Sequence, residues 1–172
     1  MTKLDELKDR LPDYARDLRI NAGVIASSTA LAPAQAWSIA VTCARTTRNR
    51  DLIAAVEADA ASHLEPNALA AARGAAAIMG MNNVYYRFVH FTDEAAEYGQ
   101  MPARLRMQLI GNPGIDKLDF ELACLAASAI TGCEACVRSH ERAVRERGGT
   151  KEQVHDCVRI AAVINGLAVA LG

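Results

Sequence analysis

Apolar residues recur at helical spacing along most of the sequence, and almost no stretch alternates apolar and polar residues as a half-buried strand would. In KLDFELACLAASAI, for example, Leu118, Leu122 and Leu125 share one face of a helix. Alanine and leucine dominate and aromatic residues make up only 5% of the chain, a composition that favours helix. The sequence therefore predicts an all-α fold, a compact domain of about eight helices that comprises residues 1–172.

Proline, glycine and asparagine mark where these helices are expected to begin and end. Pro33 predicts the start of one helix, Asn67 the N-cap of another, and Gly132 a break between two more. The predicted helices are about 2–18 with an interruption at Pro12, 33–48, 51–63, 67 toward 86, 103–110, 117–131, 133–147 and 151 onward, with a connection at 91–102. No linker or low-complexity segment divides the chain.

A weak internal similarity appears when the sequence is shifted by 83 positions, which places residues 37–84 on 120–167. The shift aligns Trp37 with Phe120 and the break at Asn49 with the break at Gly132. Few identities accompany it, so two related halves are a hypothesis that the structure must test.

The balance of charge gives no indication of a strongly basic or acidic surface. Nineteen basic residues against 20 acidic ones give a formal charge of -1, so we expect neither nucleic acid nor a membrane as a partner. The N-terminal MTKLDELKDRL lacks the apolar core of a signal peptide, and the alanine-rich segments are shorter than the ~20 apolar residues of a membrane span. We therefore expect a cytoplasmic protein.

The five cysteines fall into two groups. Cys43, Cys124 and Cys157 have apolar neighbours and are expected to be buried packing residues. An odd number of cysteines in a reducing compartment argues against a framework of disulfides. Cys133 and Cys136 differ, because they form a C-x-x-C motif at the start of a predicted helix.

The segment TGCEACVRSH places three reactive side chains on one stripe of that helix. Cys133, Cys136 and His140 are three and four residues apart, so all three can reach a common point. The N-terminal end of the helix offers free N–H groups and a positive dipole, which stabilise a thiolate. Upstream, Glu121 is an acid in an otherwise apolar helix and therefore a candidate base or proton store. We take these four side chains as candidate catalytic residues.

Spacing alone leaves three interpretations of the motif open. A zinc site would use both cysteines and His140, but it needs a fourth ligand, which Cys157 or His155 would have to supply. The cysteines could also serve packing alone. We favour a redox pair, the commoner function of a lone C-x-x-C in a cytosolic chain. The thioredoxin fold is not expected, because here the motif follows a helix and not a strand.

Polar residues also interrupt the apolar segment MGMNNVYYRF, residues 79–88. Asn82, Asn83, Tyr85, Tyr86 and Arg87 could be buried and hydrogen-bonded to one another, or could line a site. We favour the structural role.

Three segments, GAAAIMGMNNVYYR, LRMQLIGNPGIDKLDFEL and SAITGCEACVRSHE, together resemble the alkylhydroperoxidase D family of the carboxymuconolactone decarboxylase-like superfamily. The resemblance implies an all-helical subunit that forms a homotrimer and reduces hydroperoxides with its cysteine pair, without a tightly bound cofactor. It implies dihydrolipoamide as a protein-borne electron donor, carried by a dihydrolipoamide acyltransferase and regenerated by lipoamide dehydrogenase. It also implies a partner peroxiredoxin, alkylhydroperoxidase C, that the protein would reduce.

The same resemblance implies a role for each candidate residue. Cys136 matches the cysteine that attacks the peroxide, and Cys133 matches the one that donates a proton and then closes the disulfide. Glu121 matches the glutamate that helps deprotonation, and His140 matches the histidine of the proton relay.

One position departs from the family pattern. Ala135 stands where well-known members have a histidine, directly before the second cysteine. The relay would then run through water or Glu134, or the peroxidase activity would be weaker than the adaptor function. A cofactor-free decarboxylase of the same superfamily is the alternative, but it would not need the cysteine pair.

Overall fold

The computed structural model describes all 172 residues and contains helices but no strands. Its elements are α1 (Lys3–Lys8), a 3-10 turn (Asp13–Ala15), α2 (Arg16–Asn21), α3 (Val24–Ser27), α4 (Pro33–Thr47), α5 (Arg50–Ala60), α6 (Pro66–Phe91), α7 (Ala95–Gln100), α8 (Gln108–Gly111), α9 (Lys117–Thr131), α10 (Glu134–Glu146) and α11 (Lys151–Ala170). The all-α prediction is confirmed, and the helices outnumber the expected eight because five of them have only four to six residues. None of the helices combines the length and apolar character needed to cross a membrane.

The start of α6 differs from the prediction that Asn67 is its N-cap. The helix begins at Pro66, and the cap residue is Glu65, which has an extended backbone. Proline disfavours the helical conformation in the residue before it and suits the first helical position, so it sets the boundary. Asn67 lies inside the first turn, where its side chain accepts a hydrogen bond only from the N–H of Ala68.

The segment between α6 and α9 also differs from the prediction. The expected connection at 91–102 contains the short helix α7, and most of the expected helix at 103–110 is irregular. Arg104 has a left-handed backbone with φ 52°, which an α-helix cannot contain, so only Gln108–Gly111 is helical.

Helices α4 and α9 pack against each other at the centre of the molecule, and α6 and α11 pack against both. The main hydrophobic core contains 30 buried residues from these helices, α5, α10 and the N-terminal segment, and a second cluster of seven lies between α6 and α9. Nine of the 15 residues of α9 are buried. A polar side chain on α9 is therefore withdrawn from bulk water unless the neighbouring helices leave a pocket beside it.

The two halves of the chain repeat one helical pattern. Both α4 and α9 have 15 residues, and each ends at a residue with left-handed backbone, Arg48 or Gly132. One further residue leads into α5 or α10. The helix starts are offset by 84 residues, as from Pro33 to Lys117, so the predicted shift of 83 is wrong by one. The few sequence identities do not define how the two halves align, whereas the left-handed residues Arg48 and Gly132 do.

The three cysteines outside the C-x-x-C motif are buried, as predicted. Burial raises the pKa of the Cys157 thiol to about 12, and that thiol donates to the carbonyl oxygen of Leu122 at 3.1 Å. Burial, reinforced by the neighbouring Cys157, raises the pKa of Cys43 well above its usual value. Burial and the nearby Glu121 carboxylate do the same for the pKa of Cys124. All three therefore stay protonated near neutral pH.

These thiols should resist alkylation in the reduced, folded protein, because the thiolate is the reactive species and burial suppresses it. Iodoacetamide at pH 8 should modify at most Cys133 and Cys136, whereas all five cysteines should react in denaturant. Intact-mass spectrometry counts the adducts. A third adduct that forms in the folded protein as fast as on a free thiol would contradict the buried placement.

Candidate active site

A left-handed turn at Gly132 joins α9 to α10 and positions the C-x-x-C motif. The φ of Gly132 is 69°, a conformation that glycine adopts without steric cost. The N–H of Cys133 donates to the carbonyl oxygen of Ser128 at 3.2 Å, which closes the end of α9. Cys133 is then the N-cap of α10, one residue before the first turn in which the sequence analysis placed it.

Cys133 and Cys136 occupy the N-cap and the third helical residue of α10. These two positions face each other across the first turn of a helix, as the side chains of a capping box do. Their Cα atoms are 5.3 Å apart, and the two sulfurs form a disulfide. In the reduced state, the free N–H groups and positive dipole of the α10 N-terminus would stabilise a thiolate here.

A buried acid and a histidine connect α9 to α10 beside the cysteine pair. Glu121 and His140 are both nearly fully buried, and Oε2 of Glu121 lies 2.6 Å from Nδ1 of His140. The expectation that Glu121 is a buried acid is confirmed. Removing one partner of such a pair leaves a polar group buried without compensation, at a cost of ~3 kcal/mol or more. The two residues therefore form one unit, in which His140 keeps its other ring nitrogen available.

A pocket of about 280 Å³ brings these groups together. It is lined by Asn82, Tyr86, Met107, Ile110, Glu121, Ala135, Cys136, Ser139, His140 and Ala143. Cys136 contributes to the wall and is 6% exposed, whereas Cys133 is 0% exposed and does not line the pocket. The two cysteines are therefore unequal, and a small molecule in the pocket meets Cys136 first.

Two polar residues of α6 are hydrogen-bonded to the end of α9, and two others line the pocket beside Cys136. Asn83 donates to Oγ1 of Thr131 at 2.8 Å, and Arg87 donates to the carbonyl oxygen of Thr131 at 2.7 Å, so both have the structural role favoured above. Asn82 and Tyr86 instead line the pocket, which the structural interpretation missed. They lie one helical turn apart and therefore face the same side of α6.

Asn82 is buried but incompletely hydrogen-bonded. Its side chain is 4% exposed, and Oδ1 is buried without a hydrogen-bond partner. Nδ2 makes no hydrogen bond to the protein and, unlike Oδ1, is not among the fully buried unpaired atoms, and Asn82 lines the pocket. An unpaired buried carbonyl costs about 1–3 kcal/mol, so this arrangement does not serve stability.

Four further lining residues were absent from the sequence analysis. Ser139 and Ala143 follow Cys136 by three and seven residues, so helical spacing could have indicated them. Met107 and Ile110 come from the segment around α8, and only long-range packing brings them to the pocket.

Ala135 lines the pocket where the family pattern has a histidine. The residue before it, Glu134, has a carboxylate oxygen 3.5 Å from Nε2 of His90 on α6. Both side chains are half exposed, and Glu134 also accepts from Arg138 at 2.7 Å. Glu134 therefore lies in an exposed network of charges, while the wall at position 135 is a methyl group.

The zinc interpretation does not match the arrangement of side chains. No group of three His, Cys, Asp or Glu residues is placed to hold a metal ion. His140 directs Nδ1 to Glu121, and the two sulfurs are bonded to each other. The site instead combines a reactive sulfur, a second sulfur within bonding distance and a buried proton-exchanging pair, which suits thiol–disulfide chemistry.

Comparison with known proteins agrees with this chemistry. The model of the carboxymuconolactone decarboxylase family matches residues 96–171. A protein of Rhodospirillum centenum named alkyl hydroperoxide reductase AhpD is 51% identical over 98% of this chain and 90% of its own length. Proteins of the same name from Gluconacetobacter diazotrophicus and Solibacter usitatus are 51% and 49% identical, each over 98% of this chain and over 92% and 95% of their own lengths. The chain therefore belongs to the AhpD family.

Proposed function

We propose that this chain is an antioxidant thiol peroxidase of the alkyl hydroperoxide reductase type, which reduces hydroperoxides to alcohols through a disulfide cycle of Cys133 and Cys136. One observation carries the proposal: Cys136 lines a pocket beside the buried Glu121–His140 pair, with Cys133 within disulfide reach behind it. The names of the relatives support the same activity. The apolar walls around Met107 and Ile110 favour an organic hydroperoxide as substrate.

The proposed cycle begins at Cys136. Its thiolate attacks the terminal oxygen of the hydroperoxide, so that an S–O bond forms and the O–O bond breaks. The alkoxide takes up a proton and leaves as the alcohol, while Cys136 becomes a sulfenic acid. The Cys133 sulfur then attacks the Cys136 sulfur, which closes the disulfide and releases water. The two thiols have together supplied two electrons.

The Glu121–His140 pair would manage the protons of this cycle. A proton must leave the Cys136 thiol before attack and must reach the alkoxide after it. An imidazole can both donate and accept a proton, and the bond of His140 to Glu121 fixes the orientation of the ring. We assign Glu121 as base and proton store and His140 as the relay. Because Ala135 supplies no imidazole, this pair and water would carry the relay alone.

A dithiol must then reopen the disulfide by exchange. We propose dihydrolipoamide as the protein-borne donor, because both sulfurs are buried and a slender dithiol arm can enter the pocket that a bulky reductase could not. Its carriers would be a dihydrolipoamide acyltransferase and lipoamide dehydrogenase. The reduced pair would in turn serve alkylhydroperoxidase C, which fits a cytoplasmic location. No tightly bound cofactor enters the cycle.

We propose that the homotrimer implied by the family resemblance forms through exposed apolar side chains at the end of α6 and on the segment after it. They are Val84, Phe88, Phe91, Tyr98 and Met101, of which Phe91 is 67% exposed. Apolar surface of this kind marks protein–protein contacts. Light scattering on the protein as it elutes from a size-exclusion column tests the number of subunits.

Replacement of each cysteine should separate the two sulfur roles. With dihydrolipoamide and cumene hydroperoxide, Cys136→Ser and Cys133→Ser should both lose turnover. Cys133→Ser should still consume about one equivalent of peroxide and yield a dimedone adduct on Cys136, because its sulfenic acid has no partner thiol. Cys43→Ala changes a buried cysteine outside the pocket and should keep turnover. Activity that survives the loss of Cys136 would overturn its role.

The Glu121–His140 pair should behave as one unit in kinetics. Glu121→Gln and His140→Phe should each lower kcat/KM about 100-fold, the usual contribution of general acid–base catalysis. The double variant should be no more than about threefold worse than either single variant, because residues that act together are not additive. Glu141→Gln, on the same helix but outside the pocket, is the matched control. Losses that multiply in the double variant would contradict a shared function.

A further inference from the structure

The pocket contains a hydrogen-bond donor that the proton relay does not use. Asn82 lies on α6, whereas Cys136 and His140 lie on α10 and Glu121 on α9. Its carboxamide lines the same pocket as these three groups and has no protein partner at either polar atom. The side chain is therefore held in place by burial alone, with its amide available to a ligand.

The neighbouring Asn83 shows that a buried asparagine on α6 can find hydrogen-bond partners within the protein. Asn83 is as deeply buried, but its Nδ2 donates to Thr131 and its Oδ1 accepts from Ser128 at 3.3 Å. One asparagine of the pair is satisfied by the protein, and the other faces the pocket without a partner. Buried carboxamides are almost always paired, so one whose Oδ1 accepts nothing and whose Nδ2 donates to no protein group, beside a reactive sulfur, requires an explanation.

We propose that Nδ2 of Asn82 donates a hydrogen bond to the hydroperoxide and holds the oxygen that departs as alkoxide, an inference that rests on the peroxidase function proposed above. When the Cys136 thiolate attacks the terminal oxygen, the O–O bond breaks and negative charge develops on the other oxygen. A fixed amide donor stabilises that charge most in a pocket with apolar walls, where little water competes. Met107 and Ile110 supply such walls.

Asn82→Leu keeps a similar volume and removes the amide. Rapid mixing of the reduced protein with cumene hydroperoxide should show that Cys136 oxidises about 100-fold more slowly, the usual effect of losing one such donor. Reduction of the disulfide by dihydrolipoamide should stay within about twofold of wild type, because no alkoxide forms in that half-reaction. Asn82→Ala removes the same amide without adding apolar volume, and it should show the same selective loss.

Thermal unfolding distinguishes this function from a structural one. Asn82→Leu should unfold at a higher temperature than wild type, because it replaces an unpaired buried carbonyl by an apolar group. Asn83→Ala should unfold at a lower temperature, because it breaks the bonds to Thr131 and Ser128, yet its oxidation rate should match wild type.

Peroxide oxidation of folded Asn82→Leu and Asn82→Ala at the wild-type rate would overturn this inference and leave the peroxidase function intact. A wild-type protein whose reduced thiols do not react with the peroxide would overturn both. The inference would also be overturned if the oxidation rate fell as far in Asn83→Ala as in Asn82→Leu. The loss would then come from a general disturbance of α6 and not from the missing Asn82 amide.

Discussion

The left-handed turn at Gly132 sets the position of every reactive group in the pocket. It ends α9 at Thr131 and makes Cys133 the N-cap of α10, so Cys136 is the third helical residue and faces Cys133. The two helices then lie against each other, which brings Glu121 of one to His140 of the other. A residue with a side chain would be strained at this φ, and a longer connection would separate the sulfurs from the acid and its histidine.

Burial divides the five cysteines by function. Burial raises the pKa of the three core cysteines, Cys43, Cys124 and Cys157, and for Cys157 it outweighs a backbone hydrogen bond from Ala126 that would favour the thiolate. Cys136 lies instead at a helix N-terminus beside a pocket, where a thiolate is favoured and a substrate can reach it. One fold thus contains inert thiols and a reactive pair. The unpaired carboxamide of Asn82 suggests that the pocket gives up some stability for the same chemistry.

The sequence predicted those parts of the site that depend on local spacing. Helical periodicity indicated the buried α9 with its acid, and the glycine break indicated the position of the thiol pair. The substrate pocket could not be predicted, because Tyr86 and Met107 reach it through the packing of α6 and the segment around α8. The predicted offset between the two halves was wrong by one residue, because a few sequence identities do not locate the left-handed residue that ends each first helix. Asn67 was taken as a cap because its residue type fits, but the neighbouring proline determines the boundary.

The central claim is that Cys133 and Cys136, and no other cysteines, exchange two electrons with a hydroperoxide. Reduced protein treated with one equivalent of cumene hydroperoxide and then mapped by peptide mass spectrometry tests it most directly. The account predicts that free thiols fall from five to three, with one Cys133–Cys136 disulfide and one equivalent of alcohol formed. A thiol count that stays at five, or a product with the disulfide on Cys43, Cys124 or Cys157, would contradict it.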